Sequence, residues 1–510
     1  MTSARGKAYI VGAGPGDPGL ITVKGLEALR QADVVIYDRL LNPYLLAQAS
    51  QHAEWVYAGK GPHDRVMTQD EIDTMLVQKT AEGKTVVRLK GGDPFIFGRG
   101  GEEAQALARH GLDFEIVPGV SSVIAAPAYA GIPLTHRAVS SSFAVITGQE
   151  DSSKESPSVS WERLVKAVDT LVVVMGAESL PQTIAKLLQH GLAADTPVAV
   201  VQWGTDPRQC TVTGTLSNIL VRVQEAGVGA PSVVVVGDVV RLRDEIRWFD
   251  NKPLFGKRVL VTRSREVAGN LSRKLEEVGA QPVELPTIDI RPPRDWGPLD
   301  KALGKLAEYQ WAVFTSVNPV EMVWQRLRAS GRDARAFAEV RICAIGPATA
   351  QALRSHGLEP DSIPERYTSE DLLNELGERG VAKGARVLVP RSDIAAEELV
   401  TGLEELGAVV DQVPAYRTAV PDGAQEKARQ LLSLGQVDIA TFTSSSTVQN
   451  LVTLLGESAP TLLRPITVAC IGQVTARAAQ RLGIRVDIVA RESTIAGLVE
   501  AIVQAYEPRE

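Results

Sequence analysis

Glycine-rich loops follow three predicted strands in the first half of the chain, and they are the first feature that could do chemistry. They are residues 11–19 (VGAGPGDPG), 91–101 (GGDPFIFGRGG) and 118–122 (PGVSS). Glycine lets the backbone approach a ligand closely because it has no Cβ atom. One such loop could simply be a tight turn. Three of them at the carboxyl ends of strands predict the floor of a binding cleft.

The first loop resembles the GxGxxG fingerprint of dinucleotide sites but departs from it. Asp17 stands in the place of the third glycine, and prolines interrupt the start of the helix, so we exclude a Rossmann NAD site. No set of His, Asp or Glu residues has metal-ligand spacing, and we expect no metal. His136 is a lone histidine beside a loop and receives no role.

Hydroxyl groups and arginines recur at the predicted strand ends of the second half. The hydroxyl-rich segments are 315–318 (TSVN), 443–446 (TSSS), 472–475 (GQVT) and 493–494 (ST). The arginines are Arg263, Arg265, Arg391 and Arg417. Serine and threonine at helix starts are commonly N-caps. With guanidinium groups in the same crevice, they also predict a site for carboxylates.

The second half of the chain contains a sequence duplication, and the duplicated segments include the strands that must position these groups. RVLVTRS at 258–264 recurs as RVLVPRS at 386–392, a shift of 386 − 258 = 128 residues, and FTS at 314–316 recurs at 442–444. This period is too long for a solenoid and predicts two copies of one lobe. Short apolar strands alternate with helical stretches, which is typical of parallel, doubly wound α/β sheets.

The first half reads as strands that form two sheets, the second beginning near residue 141. A boundary near 250–256 separates the halves, and we expect two active modules if the chain is cut there. The 510 residues carry a net charge of −7, so no global positive field favours nucleic acid or an anionic membrane. Three scattered cysteines and the lack of a leader or long apolar span predict a cytoplasmic protein.

Long motifs of the first half resemble the uroporphyrinogen-III C-methyltransferase family over residues 7 to about 247. They are VGAGPGDPGLITVKG, YDRL, RLKGGDPFIFGRGGEE and VPGVSSVIAAPAYAGIPLTHR. The resemblance implies module 1–250, with lobes of about 1–118 and 119–250, a homodimer through this module, and S-adenosylmethionine bound between the lobes. By motif position, the cofactor would contact Pro15, Gly91, Gly92, Asp93, Ile96, Ser121, Ser122, Met175 and Gly204.

The same resemblance implies methyl transfer to two pyrrole carbons of an electron-rich tetrapyrrole. Asp38 matches the proposed base of the family, although it could also be a turn-capping aspartate, and Lys60 matches the proposed acid. Relatives commonly carry histidine where this chain has Gln149, and the loop at 151–160 is strongly polar. Substrate contacts near that loop are therefore open.

The second half is similar to uroporphyrinogen-III synthase over residues 257 to about 505. The similarity implies module 257–510, with flavodoxin-like doubly wound lobes at 257–288 plus 420–510 and at 291–414, joined by linkers at 286–290 and 413–418. The reaction closes linear hydroxymethylbilane without a cofactor. Tyr416 on a linker would assist departure of the hydroxyl, unless it only packs between the lobes. The substrate contacts would be Arg263, Arg391, Ser444, Ser445 and Thr475.

Together the two resemblances imply a bifunctional enzyme, a lyase followed by a methyltransferase. It would cyclise hydroxymethylbilane to uroporphyrinogen III with inversion of ring D, then add two methyl groups to give precorrin-2. An alternative is a later precorrin methyltransferase fused to a non-catalytic tetrapyrrole-binding lobe pair. The sequence leaves open whether the product leads to sirohaem, cobalamin or haem d1.

Overall fold

A computed structural model describes residues 6–46, 48–50, 52–59, 67–148, 159–262, 265–364, 369–379, 381, 384–393, 398–421 and 423–507. The described chain forms four five-stranded sheets, two in the N-terminal module and two in the C-terminal module. The predicted α/β class is confirmed in both modules.

The first sheet is entirely parallel, with strand order β3-β2-β4-β1-β5. Its elements are β1 (Lys7–Gly12), α1 (Val23–Arg30), β2 (Val34–Tyr37), α2 (Pro43–Leu46), β3 (Glu54–Tyr57), α3 (Gln69–Ala81), β4 (Thr85–Lys90), α4 (Gly100–Arg109) and β5 (Asp113–Val117). Ile10 packs into the core on one face of the sheet and Val11 into the core on the other. Because side chains alternate along a strand, such apolar runs bury both faces under helices.

The second sheet is mixed, with strand order β6-β7-β10-β8-β9. Its elements are α5 (Ser122–Tyr129), β6 (Phe143–Thr147), α6 (Trp161–Ala167), β7 (Thr170–Val174), α7 (Leu180–Gln189), β8 (Pro197–Gln202), β9 (Cys210–Thr215), α8 (Ile219–Glu225), β10 (Ser232–Val236) and α9 (Arg243–Ile246). Strand β9 is not predicted from the sequence. Its sequence, CTVTGT, is polar and half-buried throughout, which gives a sheet edge without an apolar pattern.

One sheet of the C-terminal module has the order β12-β11-β18-β19-β20 and is parallel. It contains β11 (Arg258–Val261), α10 (Arg265–Glu277) and β12 (Gln281–Glu284). After a long excursion the chain returns with α16 (Ala424–Ser433), β18 (Ile439–Phe442), α17 (Ser445–Leu455), α18 (Ala459–Leu463), β19 (Thr467–Cys470), α19 (Gln473–Arg481), β20 (Ile488–Val489) and α20 (Ile495–Tyr506). In chain order this arrangement is 2-1-3-4-5, the flavodoxin-like order.

The excursion builds the other sheet, with order β13-β17-β16-β14-β15. Its elements are β13 (Asp289–Arg291), α11 (Gly297–Gly304), β14 (Trp311–Phe314), α12 (Val317–Ala329), β15 (Arg341–Ala344), α13 (Pro347–Ser355), α14 (Ser369–Glu378), β16 (Arg386–Ser392), α15 (Glu398–Glu405) and β17 (Val409–Ala419). All neighbours are parallel except β13, which runs antiparallel to β17.

The duplicated sequences produce equivalent strands, but each sheet mixes the two copies. The shift found in the sequence maps β11, β12, β14 and β15 onto β16, β17, β18 and β19 in turn. The order β12-β11-β18-β19 in one sheet then equals β17-β16-β14-β15 in the other. Each lobe therefore combines the first half of one copy with the second half of the other.

The two segments predicted as linkers are extended and pair with each other. Asp289 lies opposite Ala419, and Arg291 lies opposite Arg417, in an antiparallel ribbon. The predicted lobe boundary at residue 414 falls inside β17, which continues to Ala419. The connection between the lobes is thus a hydrogen-bonded extension of one sheet.

The connection between the two modules is anchored by two buried apolar side chains, Phe249 and Leu254. Phe249 is 3% exposed, and its ring contacts the rings of Tyr129 in the N-terminal module and Phe255 beyond the connection. Leu254 is fully buried in a core cluster with Val259 of β11. The Leu254 amide donates to the Val278 carbonyl at 3.0 Å. The two modules are therefore packed together through the connecting segment.

Candidate active sites

The three predicted glycine loops meet at the carboxyl edge of the first sheet. Gly92 exchanges backbone hydrogen bonds with Gly14, at 2.8 and 3.3 Å. A Cβ atom on Gly119 would lie 2.3 Å from the Gly92 carbonyl oxygen and 2.7 Å from the Gly12 Cα. Only residues without side chains allow this approach. The crossing fixes the three loops relative to one another.

These loops and the second lobe enclose a cavity of about 670 Å³. All nine residues that motif position assigns to the cofactor line it: Pro15, Gly91, Gly92, Asp93, Ile96, Ser121, Ser122, Met175 and Gly204. The first six come from the loops after β1, β4 and β5 of the first sheet, Ser122 begins α5, and the last two follow β7 and β8 of the second sheet. The cavity is thus a cleft between the two lobes.

Two side chains of the cleft wall sit on left-handed backbone. Met175 has φ 53° and Trp203 has φ 50°, and Thr205, next to Gly204, has φ 76°. Residues other than glycine adopt this conformation at a cost of about 1 to 3 kcal/mol, and such positions concentrate at functional sites. In this conformation Met175, which is 44% exposed, lines the cleft.

Asp93 has a structural contact on each carboxylate oxygen. Oδ1 accepts the Phe95 amide at 2.8 Å, and Oδ2 accepts the Gly119 amide at 3.0 Å. The carboxylate therefore ties the loop after β4 to the loop after β5. A carboxylate can accept about four hydrogen bonds, so this arrangement leaves capacity toward the cleft.

The cleft fits the S-adenosylmethionine that the resemblance implies in three respects. A Cβ atom on Gly91 would meet only the Leu40 carbonyl, at 3.8 Å, so this backbone is open to a ligand. Apolar surface for an adenine ring comes from Met175 and Ile96. The buried Ser232 Oγ has no hydrogen-bond partner among the described residues and lines the cleft, where it can bind a polar ligand atom.

Other residues of the cleft wall were missed by the sequence analysis. They are Arg39, Asn42, Trp203, Asp206, Arg208 and Ser232, among others. The Arg208 guanidinium lies 3.9 Å from the centre of the Trp203 ring and pairs with Asp206. For Trp203, Asp206 and Arg208, the signal in the sequence was their place after β8, close to the predicted Gly204.

Asp38 follows β2 and belongs to an ion network that the sequence analysis did not predict. Arg88 Nη2 donates to Asp38 Oδ1 at 2.5 Å, and Arg88 Nε donates to Glu103 Oε1 at 2.9 Å. Lys90 Nζ donates to the same Glu103 oxygen at 2.8 Å and lies 3.8 Å from Asp38 Oδ2. Asp38 is thus held by side-chain ion pairs, and its neighbours Arg39 and Leu40 line the cleft.

Two predictions for this module concern segments outside the described residues. Lys60, the predicted acid, lies outside them. So do Gln149 and residues 151–158 of the polar loop.

In the C-terminal module, three predicted contact residues lie at the carboxyl edge of the sheet that contains β18 and β19. Ser444 is the N-cap of α17: its hydroxyl accepts the Thr447 amide at 3.3 Å in a capping box. Ser445 begins α17 and is half-buried, whereas Thr475 in the first turn of α19 is 4% exposed. The structure thus brings these hydroxyls to one edge, with one of them already engaged in helix capping.

The other predicted contacts of this module belong to the second lobe. Arg391 lies in β16 and is 4% exposed. Tyr416 lies in β17 and packs, half-buried, against the core cluster that contains Phe314. Arg263 lies outside the described residues. The predicted set is therefore divided between the two lobes.

Throughout the described ranges, no group of three or more His, Cys, Asp or Glu side chains could hold a metal ion. Every helix in the part of the chain that the structure describes is too short or too polar to cross a bilayer.

Family models match the two modules in turn. The tetrapyrrole (corrin/porphyrin) methylase family matches residues 7–220, and the uroporphyrinogen-III synthase HemD family matches residues 269–500. The crystal structure of uroporphyrin-III-C-methyltransferase from Thermus thermophilus is 39% identical, covering 47% of this chain and 98% of that chain with a TM-score of 0.40.

Curated relatives cover the first module alone or both together. A uroporphyrinogen-III C-methyltransferase of Priestia megaterium is 52% identical over 235 residues, which are 46% of this chain and 98% of that protein. A porphyrin biosynthesis protein HemD of Ruminiclostridium josui is 38% identical over 499 residues, 98% of each chain. The alignment runs through both modules, and the chain therefore belongs to the family of porphyrin biosynthesis proteins that join a uroporphyrinogen-III C-methyltransferase to a uroporphyrinogen-III synthase.

Proposed function

We propose that this chain is a bifunctional enzyme that converts hydroxymethylbilane to uroporphyrinogen III with inversion of ring D, and then to precorrin-2 by two methyl transfers. The observation that carries the proposal is the cleft, which all nine residues assigned by motif position line together. The likeness to a relative along both modules supports the pairing of activities.

In the methyl-transfer site, S-adenosylmethionine when bound supplies an electrophilic methyl group. The exposed backbone at Gly91 and Gly92 and the apolar wall at Met175 would hold it, with Asp93 accepting from its polar groups. An electron-rich pyrrole carbon needs alignment and removal of a proton more than it needs an activated nucleophile. We assign the proton acceptor to Asp38 and retain Lys60 as the proposed acid.

In the synthase module, we propose that the substrate hydroxyl departs as water and leaves an azafulvene cation. The inverted ring D then attacks this cation, forms the closing carbon–carbon bond and loses one proton. Tyr416 is the proposed proton donor to the leaving hydroxyl. Arg263, Arg391, Ser444, Ser445 and Thr475 are the proposed carboxylate contacts. Tyr416 and Arg391 lie on one lobe, and the three hydroxyl residues on the other. A substrate held by both sets would require the lobes to close around it.

The modules are proposed to divide near residues 250–257, and the N-terminal module is proposed to form a homodimer, as the family resemblance implies. Sedimentation of the whole chain tests the assembly, because a monomer at micromolar concentration would remove the homodimer from the proposal.

Product analysis from hydroxymethylbilane, with and without S-adenosylmethionine, tests the function. We expect the type III isomer without the methyl donor and a product heavier by two methyl groups with it. A single added methyl group would indicate a later precorrin methyltransferase. Only the type I isomer, which forms by spontaneous closure, would indicate that the C-terminal module merely binds tetrapyrrole.

A further inference from the structure

Three charged side chains next to Asp38 are buried at positions that are usually apolar in a protein core. Arg88 is 2% exposed, Lys90 is 4% exposed and Glu103 is fully buried. Charged groups are almost never buried this completely unless they are paired. The Asp38 side chain, by contrast, is 32% exposed and adjoins the cleft wall.

Secondary structure explains how the three charges converge. Arg88 and Lys90 are two positions apart in β4, so their side chains leave the same face of the sheet. Glu103 lies in the first turn of α4, which packs over that face. Ile36 of β2 is in register with Arg88, so the residue that follows β2 by one position, Asp38, reaches the same guanidinium.

The charges of this buried group do not balance without Asp38. Two cations, Arg88 and Lys90, face the single buried anion Glu103, so the group carries 2 − 1 = +1. Asp38 supplies the remaining negative charge through its contacts with both cations. An ion pair with only a structural role would be neutral by itself. This group of three has an excess positive charge, and the carboxylate that neutralises it, Asp38, lies at the cleft.

The remaining polar neighbours lie on α3. Gln69 Nε2 is 3.4 Å from Glu103 Oε1 and donates to Asp73 at 2.8 Å. Burial, with the nearby Glu103 carboxylate contributing, raises the pKa of Asp73. Among the described residues, the ion pairs of Asp38 are with Arg88 and Lys90, so these two are the charged groups in contact with it.

We propose that Glu103 is a positioning residue for methyl transfer: it aims Arg88 and Lys90 at Asp38, and the net positive charge of the three buried groups holds that carboxylate in place at the cleft. This inference rests on the proposed function, in which Asp38 accepts the proton. Glu103 acts only through its two cations. The sequence motif RLKGGD shows the cations but gives no sign that Glu103 lies beneath them.

The test is the pH dependence of single-turnover methylation of uroporphyrinogen III in the full chain. Glu103→Gln removes the competing anion, and we expect the acid limb to move to lower pH by about one unit, with a rate about 10²-fold lower because Arg88 is less firmly placed. Lys90→Met removes a cation, and we expect the limb to move to higher pH. Opposite shifts are an electrostatic signature that a loss of packing cannot produce.

Two further variants keep the test decisive. The double variant Glu103→Gln/Lys90→Met restores the net charge of the buried group, so its acid limb should return toward that of the unmodified chain even if Glu103→Gln alone folds poorly. Glu115→Gln is the matched control, since this carboxylate also sits between two lysines, Lys7 and Lys24, but on the surface. We expect its profile to be unchanged.

The outcomes separate this inference from the proposed function. If Asp38→Asn abolishes methylation while the limbs of the Glu103 and Lys90 variants stay in place or move together, the positioning role is wrong and the base assignment stands. If Asp38→Asn methylates at the unmodified rate, the base assignment is wrong and the positioning role fails with it. Thermal unfolding and calorimetric binding of S-adenosylmethionine report correct folding of the N-terminal module in every variant.

Discussion

The Asp17 carboxylate of the N-terminal module, next to the cleft residue Gly16, disfavours negative charge on the Glu276 carboxyl of the C-terminal module. Burial, followed by the charges of Asp17, Asp206 and Glu284, raises the pKa of Glu276 to about 7. Asp17 itself accepts the Tyr129 hydroxyl at 2.6 Å, and Asp206 lines the cleft. The end of α10 is thus in electrostatic contact with the wall of the proposed methyl-transfer site.

The raised pKa of Glu276, caused first by its burial, predicts a pH-dependent stability. Because the pKa of Glu276 is higher in the folded chain than in the unfolded one, the folded state binds more protons between pH 4.5 and 7, and stability falls as pH rises through this window. Glu276→Gln should remove the loss, raising the free energy of unfolding at pH 8 by up to about 3 kcal/mol and leaving it little changed at pH 4.5. Thermal unfolding of both chains at pH 8 and at pH 4.5 measures this difference in the free energy of unfolding.

Glu277→Gln is the control for this experiment, since Glu277 is exposed and pairs with Arg273 on the surface. An equal effect of the two substitutions at pH 8 would contradict a specific role of the buried Glu276 carboxyl.

Asp93→Ala should weaken binding of S-adenosylmethionine. The substitution removes the acceptor of the Phe95 and Gly119 amides as well as the proposed ligand contact. We expect a loss of about 1 to 3 kcal/mol, measured by calorimetry, with cyclisation unaffected. Asp93→Asn retains one acceptor oxygen and should lose less. Unchanged affinity in Asp93→Ala would remove this residue from the site.

Gly204→Ala should disrupt the cleft through a steric clash. The new Cβ atom would lie 2.3 Å from Ala126 Cβ, so α5 or the loop after β8 must move. We expect at least a tenfold loss of cofactor affinity, about 1.4 kcal/mol. Gly101→Ala is the matched control, because its Cβ would meet nothing within 4 Å inside α4 and should bind the cofactor normally. Similar affinities in both variants would contradict the packing argument.

Tyr416→Phe tests the proposed proton donor of the synthase module. The ring should still pack against its hydrophobic cluster, so folding should persist. We expect the rate of type III formation to fall by about 10²-fold, while type I isomer accumulates by spontaneous closure. Isomer analysis by chromatography measures both. An unchanged rate would leave Tyr416 only a packing role.

Cleavage of the chain between Asn251 and Lys252 should leave the two halves associated. The Phe249 and Phe255 rings contact each other across the cut, with centroids 5.5 Å apart, and both segments pack into larger clusters. The halves should co-elute in size-exclusion chromatography, whereas the sequence alone predicted independent modules. Separation into two species would favour that earlier prediction.

The sequence predicted most of the framework because its signals are local. Apolar runs followed by glycine mark the strands, and the repeated RVLV segments mark equivalent strands at β11 and β16. The exchange of halves between the lobes could be expected only from the family resemblance, because no local pattern in a repeat records which strands pair. Residues that function through packing were missed for the same reason, since Glu103 reads as an ordinary surface charge on a helix until α4 covers Arg88.

The order of the strands along the chain also governs how this protein can be made. During synthesis, β12 is complete 439 − 284 = 155 residues before β18 begins, and β18 is the neighbour that β11 requires. At about 5 to 20 residues per second, the ribosome needs roughly 10 to 30 s to cover this distance. The pair of strands β11 and β12 is not stable in water by itself. We therefore expect the other lobe, which lies between β12 and β18 in the sequence, to fold first. During this time we expect the apolar strand Val259–Val261 to remain exposed on the nascent chain, where a chaperone can bind it.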